Sequence, residues 1–304
     1  MHSPSAAAAP RAATPLPGLL LASLGAVAFS GKAIIVKLAY RHGVDAVTLI
    51  MFRMLFALPL FLALAWWAGR GKPPLVRRDW LAVLGLGFTG YYLASFLDFA
   101  GLAYVSASFE RLVLYLNPTL VLLLGWVLFG RRVGARQLLA LAVSYAGVLL
   151  VFGHEFELEG PDVALGAALV FGSALSYAVY LVYSGEEVKR LGSLHLTGLA
   201  TSVACVLCIA QFLLLRPLSA ATEVAEPVIW LSLLNATACT FAPVLMVMMA
   251  IERIGSTLAA QTGMIGPMST ILMGVLILGE PFTAWVAAGT ALVLAGIWLL
   301  ARWR

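Results

Sequence analysis

Ten long apolar runs, separated by short connections, leave this chain little room to be anything but a membrane bundle. They fall at 17–39, 46–68, 80–102, 106–129, 135–152, 163–183, 194–215, 228–251, 256–278 and 284–302. A hydrocarbon core needs about 20 apolar residues per crossing helix. A helix suits that layer because it satisfies its own backbone groups where no water can. Breakers mark the cuts: Gly69-Arg70-Gly71-Lys72-Pro73-Pro74, Gly160-Pro161-Asp162 and Gly279-Glu280-Pro281. Composition agrees, with 62% hydrophobic and 11% charged residues, against about 45–50% and about 25% in soluble domains. The net charge of +5 is spread over short loops, so it reads as an orientation signal and not as a nucleic-acid face.

A repeat runs through the apolar runs. Leu116-Asn117-Pro118 is answered by Ile265-Gly266-Pro267, and Pro118 and Pro267 are 149 residues apart. Gly130 and Gly279, and Gly147 and Gly296, keep the same 149-residue offset. The short run 135–152 gains support from its counterpart 284–302, which shares that glycine. Five crossings per half is an odd number, so the second half enters from the opposite side. The expected fold is an all-α membrane protein of ten transmembrane helices, built as two inverted five-helix repeats. The repeats are placed at 17–152 and 163–304, after an Ala-, Pro- and Ser-rich tail, 1–16, expected to be disordered. Leu19 to Phe29 has the length of a signal-peptide core. It continues past Lys32 into Ile34-Ile35-Val36 without a convincing cleavage site, so it reads as a retained first helix.

With the N-terminus inside, thirteen Lys and Arg flank the cytoplasmic ends and only Arg41 and Arg216 the other face. That places both termini in the cytoplasm. The acidic stretch His154 to Glu159 then reads as an outer loop. Trp80 and Trp303 mark the inner interface, and Trp230 and Trp285 the outer one.

At this point the chain resembles the EamA group of the drug/metabolite transporter superfamily. The resemblance rests on the five-plus-five duplication and on the segments closing each half. Ala250-Ile251-Glu252-Arg253-Ile254 leads into Pro267 and Gly279-Glu280-Pro281. Gly101-Leu102-Ala103-Tyr104-Val105 leads into Asn117-Pro118 and Gly130-Arg131-Arg132. The family usually ends both segments in Gly-Glu; here the first copy has Arg131. The resemblance implies an inner-membrane secondary transporter working by alternating access.

Five charges lie well inside apolar runs: Lys32, Arg53, Asp98, Glu110 and Arg111. Each costs about 2.5–3.5 kcal/mol at the bilayer centre, so each should face a partner or a cavity. Helices 1 and 2 fold about residue 42, and Lys32 and Arg53 are equidistant from that turn. Helices 3 and 4 fold about residue 104, which lies midway between Asp98 and Glu110. Equidistant residues of an antiparallel pair share a depth, here about 6–10 Å from the outer helix ends at about 1.5 Å per residue. The repeat-related positions Val247, Ala259 and Ala260 carry no charge. Three roles fit the set. It is a static ion-pair clasp, with Asp98 on Arg111 and Glu110 on Arg53; or a contact for a charged or zwitterionic solute; or a proton carrier.

Asn117-Pro118 and Gly266-Pro267 lie near mid-membrane, where each proline frees a carbonyl one turn back. Around them Tyr91, Tyr92, Ser95, Tyr115, Ser176, Tyr177, Tyr180, Asn235 and Gln261 are candidate lining residues. Cys205-x-x-Cys208 sits in an apolar helix with no second pair, and no metal site, P-loop or nucleophile–base set is found. The expectation is a non-enzymatic transporter with no cofactor beyond a coupled proton. Its partners are the lipid bilayer and a small polar metabolite, with amino-acid efflux in view and no nucleic acid. Monomer or homodimer stays open. The alternative is a non-transporting membrane subunit or scaffold for envelope or lipid enzymes.

Overall fold

A computed structural model describes residues 16–130, 133–263 and 265–302. The tail expected to be disordered lies outside these residues up to its last member, Leu16, which already belongs to α1. Arg131, Arg132, Trp303 and Arg304 also lie outside them.

The helices follow the hydropathy closely. They are α1 Leu16–Tyr40, α2 Ala46–Gly69, α3 Arg77–Leu102 and α4 Ala107–Phe129. Then come α5 Ala135–Glu159, α6 Asp162–Leu191 and α7 Ser193–Leu215. After the single turn Ser219–Thr222 follow α8 Glu226–Ala250, α9 Ile265–Met273 with its π-helical end Gly274–Leu278, and α10 Ala284–Arg302. Among the described residues nine helices are long and apolar enough to cross a membrane, and Met268–Leu278 is a shorter apolar one.

Two expected loops differ. The acidic stretch from His154 is helical and completes α5. Hydropathy falls there, but helix propensity does not, and the helix stops only at Gly160, whose φ of 89° favours glycine. Between 251 and 256 no turn interrupts the helix, which runs Ala242–Gly263. Contacts along α1 place the reversal later, between Ile254 and Gly266. Cys239 meets Gly31, Val247 meets Gly25 and Ile254 meets Gly18, so α8 runs against α1. Gly266 then meets Ser30, and Leu278 meets Arg41, so α9 runs with α1.

Packing carries the duplication. α1 packs on α8, α3 on α6, α2 on α7 and α5 on α10. Exchanging the halves turns the first of these pairs into the second and leaves the other two unchanged, as a two-fold axis requires. The α5–α10 seam shows it atom by atom. A Cβ on Gly147 would lie 2.6 Å from Gly289 O, and one on Gly296 2.7 Å from Ala140 O. Residues 140 and 289 are themselves 149 apart. Lipid supplies no hydrophobic drive between helices, so backbones approach through small residues and gain dispersion. Outward-facing side chains are apolar, among them Trp66, Trp126, Trp230, Trp285 and Leu214. Gly130 and Gly279 end α4 and α9 with φ of 63° and 76°, which explains the repeated glycine.

Candidate functional site

The intramembrane charges come together at one depth. Lys32 Nζ lies 2.5 Å from Asp98 Oδ2 and 3.4 Å from Glu110 Oε1. Arg111 Nε lies 3.8 Å from Glu110 Oε2. α1, α3 and α4 thus meet at a single ammonium. Glu110 is fully buried, Asp98 is 2% exposed, and Lys32, Arg53 and Arg111 are 5–7% exposed. The expected pairing of Asp98 with Arg111 and Glu110 with Arg53 is replaced by this arrangement. Distance from a hairpin turn gives depth but not direction around the helix, and Lys32 on α1 faces both carboxylates.

Arg53 goes elsewhere. Its Nε donates to Thr240 Oγ1 at 3.1 Å, and its guanidinium carbon sits 5.1 Å from the Phe99 ring centroid. Thr240 reaches it because α8 is π-helical over Thr237–Phe241. Thr240 Oγ1 donates in turn to Asn235 O at 2.8 Å, five residues back. Asn235 Nδ2 donates to Lys32 O at 3.5 Å. The ionic cluster of the first repeat is therefore tied to α8 of the second.

α3 is π-helical over Phe88–Leu93, and 88 and 237 are again 149 apart. A π-turn interrupts the regular carbonyl ladder, which is why such turns gather at functional sites. Here Ser176 Oγ on α6 donates to Thr89 O at 2.7 Å. Tyr91, at the position related to Thr240, places its hydroxyl 3.1 Å from that of Tyr180. Tyr177 stacks on Tyr180 with ring centroids 5.4 Å apart. The two-fold mate of Thr240 thus belongs to a tyrosine cluster and not to an ionic one. Tyr92 leans on Phe88, at 5.4 Å between centroids, away from that hydroxyl pair.

The first proline break is present. α4 is interrupted at Tyr115-Leu116 and restarts at Asn117 with Pro118 in its first turn. Leu114 O, the carbonyl freed by Pro118, accepts from Asn117 Nδ2 at 2.7 Å. Met264, just before Pro267 in the second repeat, lies outside the described residues. Gly266 O accepts from Ser30 Oγ at 2.7 Å. The carbonyl freed by Pro118 is thus satisfied by a side chain of the chain itself. The side chains of Pro267 and Gln261 lie outside the described residues.

A cavity of about 380 Å³ lies at the Arg41 end. Tyr40, one of its walls, donates its hydroxyl to Phe99 O. Arg53, Lys32, Asp98 and Glu110 are not among its walls. Above it the repeats are fastened together. Arg41 Nη2 donates to Leu278 O at 2.6 Å. Glu280 accepts from Ala107 N at 2.7 Å and from Ser108 N and Oγ at 3.2 and 2.7 Å. Glu155 accepts from Ser106 N at 3.3 Å and from its hydroxyl. Two carboxylates thus cap the positive N-terminal end of α4. Sequence reading passed over Thr240, Phe99, Glu155 and Glu280 as site residues. Only Glu280 left a signal, as the acid of the Gly-Glu-Pro segment.

A two-fold helical bundle with interrupted helices and a buried ionic cluster is the build of a multi-pass membrane transporter. The chain belongs to the EamA-like transporter family, whose pattern matches residues 16–153 and again 164–302. It is 30% identical over 284 residues to the uncharacterized transporter YcbK of Bacillus subtilis, covering 86% of each protein. It is 24% identical over 285 residues to an uncharacterized transporter of Archaeoglobus fulgidus, covering 92% of this chain and 96% of that one. A solved crystal structure shares the fold with a TM-score of 0.62 at 18% identity, over 94% of this chain and 96% of that one.

Proposed function

We propose that the protein is a secondary transporter of the inner membrane, with both termini cytoplasmic, that exports a small polar metabolite such as an amino acid in exchange for protons. The observation that carries this reading is the buried cluster of Lys32, Asp98 and Glu110, tied across the two-fold axis to Thr240 and Asn235. Alternating access moves one repeat against the other, so it changes what this cluster touches. A buried carboxylate is held ionised by a neighbouring cation and takes up a proton when that cation leaves. That exchange links the movement of a solute to a proton gradient. The π-turns stand at two-fold-related positions, where helices can bend without unfolding.

The test is flux in proteoliposomes under an imposed pH gradient. Asp98→Asn should abolish proton-driven flux while the amount of protein in the membrane stays normal. Loss of the protein itself would make Asp98 structural, and unchanged flux would remove it from coupling.

A further inference from the structure

We propose that the ionic cluster recognises a carboxylate on the solute, and that Arg53 is the residue that binds it. This rests on the transporter reading above and names the substrate class it implies.

The cluster is not neutral. Lys32, Arg53 and Arg111 bring three cations to one buried layer, and Asp98 and Glu110 bring two carboxylates. Arg53 is the cation left over. Among the described residues no carboxylate lies within ion-pair distance of it. Thr240 takes its Nε, the Phe99 ring covers one face, and Nη1 has no hydrogen-bond partner. An arginine cannot shed its proton to escape this position. Asp98 acts on Arg53 only from beyond ion-pair distance, and a buried charge without a contacting partner is costly, so the site favours a counter-charge in direct contact. The guanidinium fork fits a carboxylate through two parallel hydrogen bonds. Thr240 and Phe99 fix the plane of that fork before anything binds, which lowers the ordering cost of binding.

The other side of the cluster has the opposite need. Asp98 Oδ1 is buried without a donor. A solute that presents a carboxylate to Arg53 and an amine to Asp98 would satisfy both, so amino acids fall within the class. The carboxylate is the required group and the amine is secondary, because the unpaired charge of the chain is positive. The cavity walled by Tyr40, which is hydrogen-bonded to Phe99, marks the Arg41 end as the side from which a solute would approach.

The test uses the purified full chain and three matched series: L-amino acids, the same side chains as carboxylic acids without the amine, and the same side chains as amines without the carboxylate. Binding is read from the rise in the unfolding temperature on titration. Every compound that binds should carry a carboxylate, and the matched amine should be at least about ten-fold weaker, the loss of one charge-assisted contact. Arg53→Gln should remove carboxylate binding and Arg53→Lys should keep part of it. Thr240→Val, which leaves the charge but frees the fork, should weaken it. Amines that bind as well as acids, carboxylates that bind Arg53→Gln as they bind the native chain, or no response to any carboxylate would each overturn the proposal. Flux separates it from the broader reading. Binding of carboxylates without flux leaves this site standing and removes transport. Flux restricted to amines does the reverse.

Discussion

Lys32 should be the most costly charge in the bundle to remove, and its loss should be repaired by a second loss. Its Nζ lies 2.5 Å from Asp98 and 3.4 Å from Glu110, so those two oxygens are no more than about 6 Å apart. Two unit charges at that separation repel by about 3 kcal/mol at an effective dielectric of about 20. Lys32→Met removes the attraction to both carboxylates and leaves that repulsion in place. The expected destabilisation is about 3–5 kcal/mol, the usual cost of breaking a buried pair from one side. Asp98→Asn is milder, at about 1–2 kcal/mol, because Lys32 keeps Glu110. The double variant Lys32→Met/Asp98→Asn should be more stable than Lys32→Met alone, since it leaves one carboxylate beside Arg111. Reversible unfolding in mixed micelles measures all four corners of the cycle. The reasoning fails if the two single effects add to within about 0.5 kcal/mol, or if Asp98→Asn is the more damaging change.

Two further outcomes follow from the seams and ends of the bundle. Gly296→Ala should destabilise the chain by about 1–3 kcal/mol, because the new methyl lands 2.7 Å from Ala140 O and Ser144 N across the α5–α10 seam. In an open helix the same change would stabilise, so a rise in unfolding temperature would show that the seam is loose. Asp45 caps α2, accepting from Val47 N at 2.9 Å and Thr48 N at 3.3 Å, and it meets Arg216 at 3.2 Å. Asp45→Ala should cost about 0.5–2 kcal/mol at neutral pH. Partial burial pushes this carboxyl up, but hydrogen bonds from Thr48 and Arg216 outweigh it and hold it below its ordinary value. A lowered folded value means that the contribution is complete above about pH 4 and fades as pH falls through that lower value. The gap between native and Asp45→Ala unfolding should therefore narrow in acid; a constant gap would show that the charge does not matter.

The repeat, the apolar runs and the depth of the charges were all legible in the sequence, because each depends on spacing along a helix. Lys32, Asp98 and Glu110 share a level for that reason. Their pairing was not legible, since it depends on how each helix is turned about its axis, and that is set by distant small residues such as Gly18, Gly25 and Gly31 against α8. The π-turns left no mark, because one extra residue per turn changes no local composition. Thr240 is an ordinary helix threonine until that turn swings it onto Arg53. Helix propensity carried α5 through the acidic stretch that hydropathy assigned to a loop.

In a molecule made of two inverted copies, the inward-facing and outward-facing forms would be equally populated if the copies were identical. Each residue that differs between the copies is a weight on one side of that balance. Glu280 fastens the second copy onto the start of α4 through Ala107 and Ser108. The residue 149 positions earlier is Arg131, and a guanidinium cannot accept a hydrogen bond from a backbone amide. The Arg41 face thus has a clip that the side chain at the repeat-related position cannot make. A difference of this kind between the copies would give an otherwise symmetric machine a preferred form at rest.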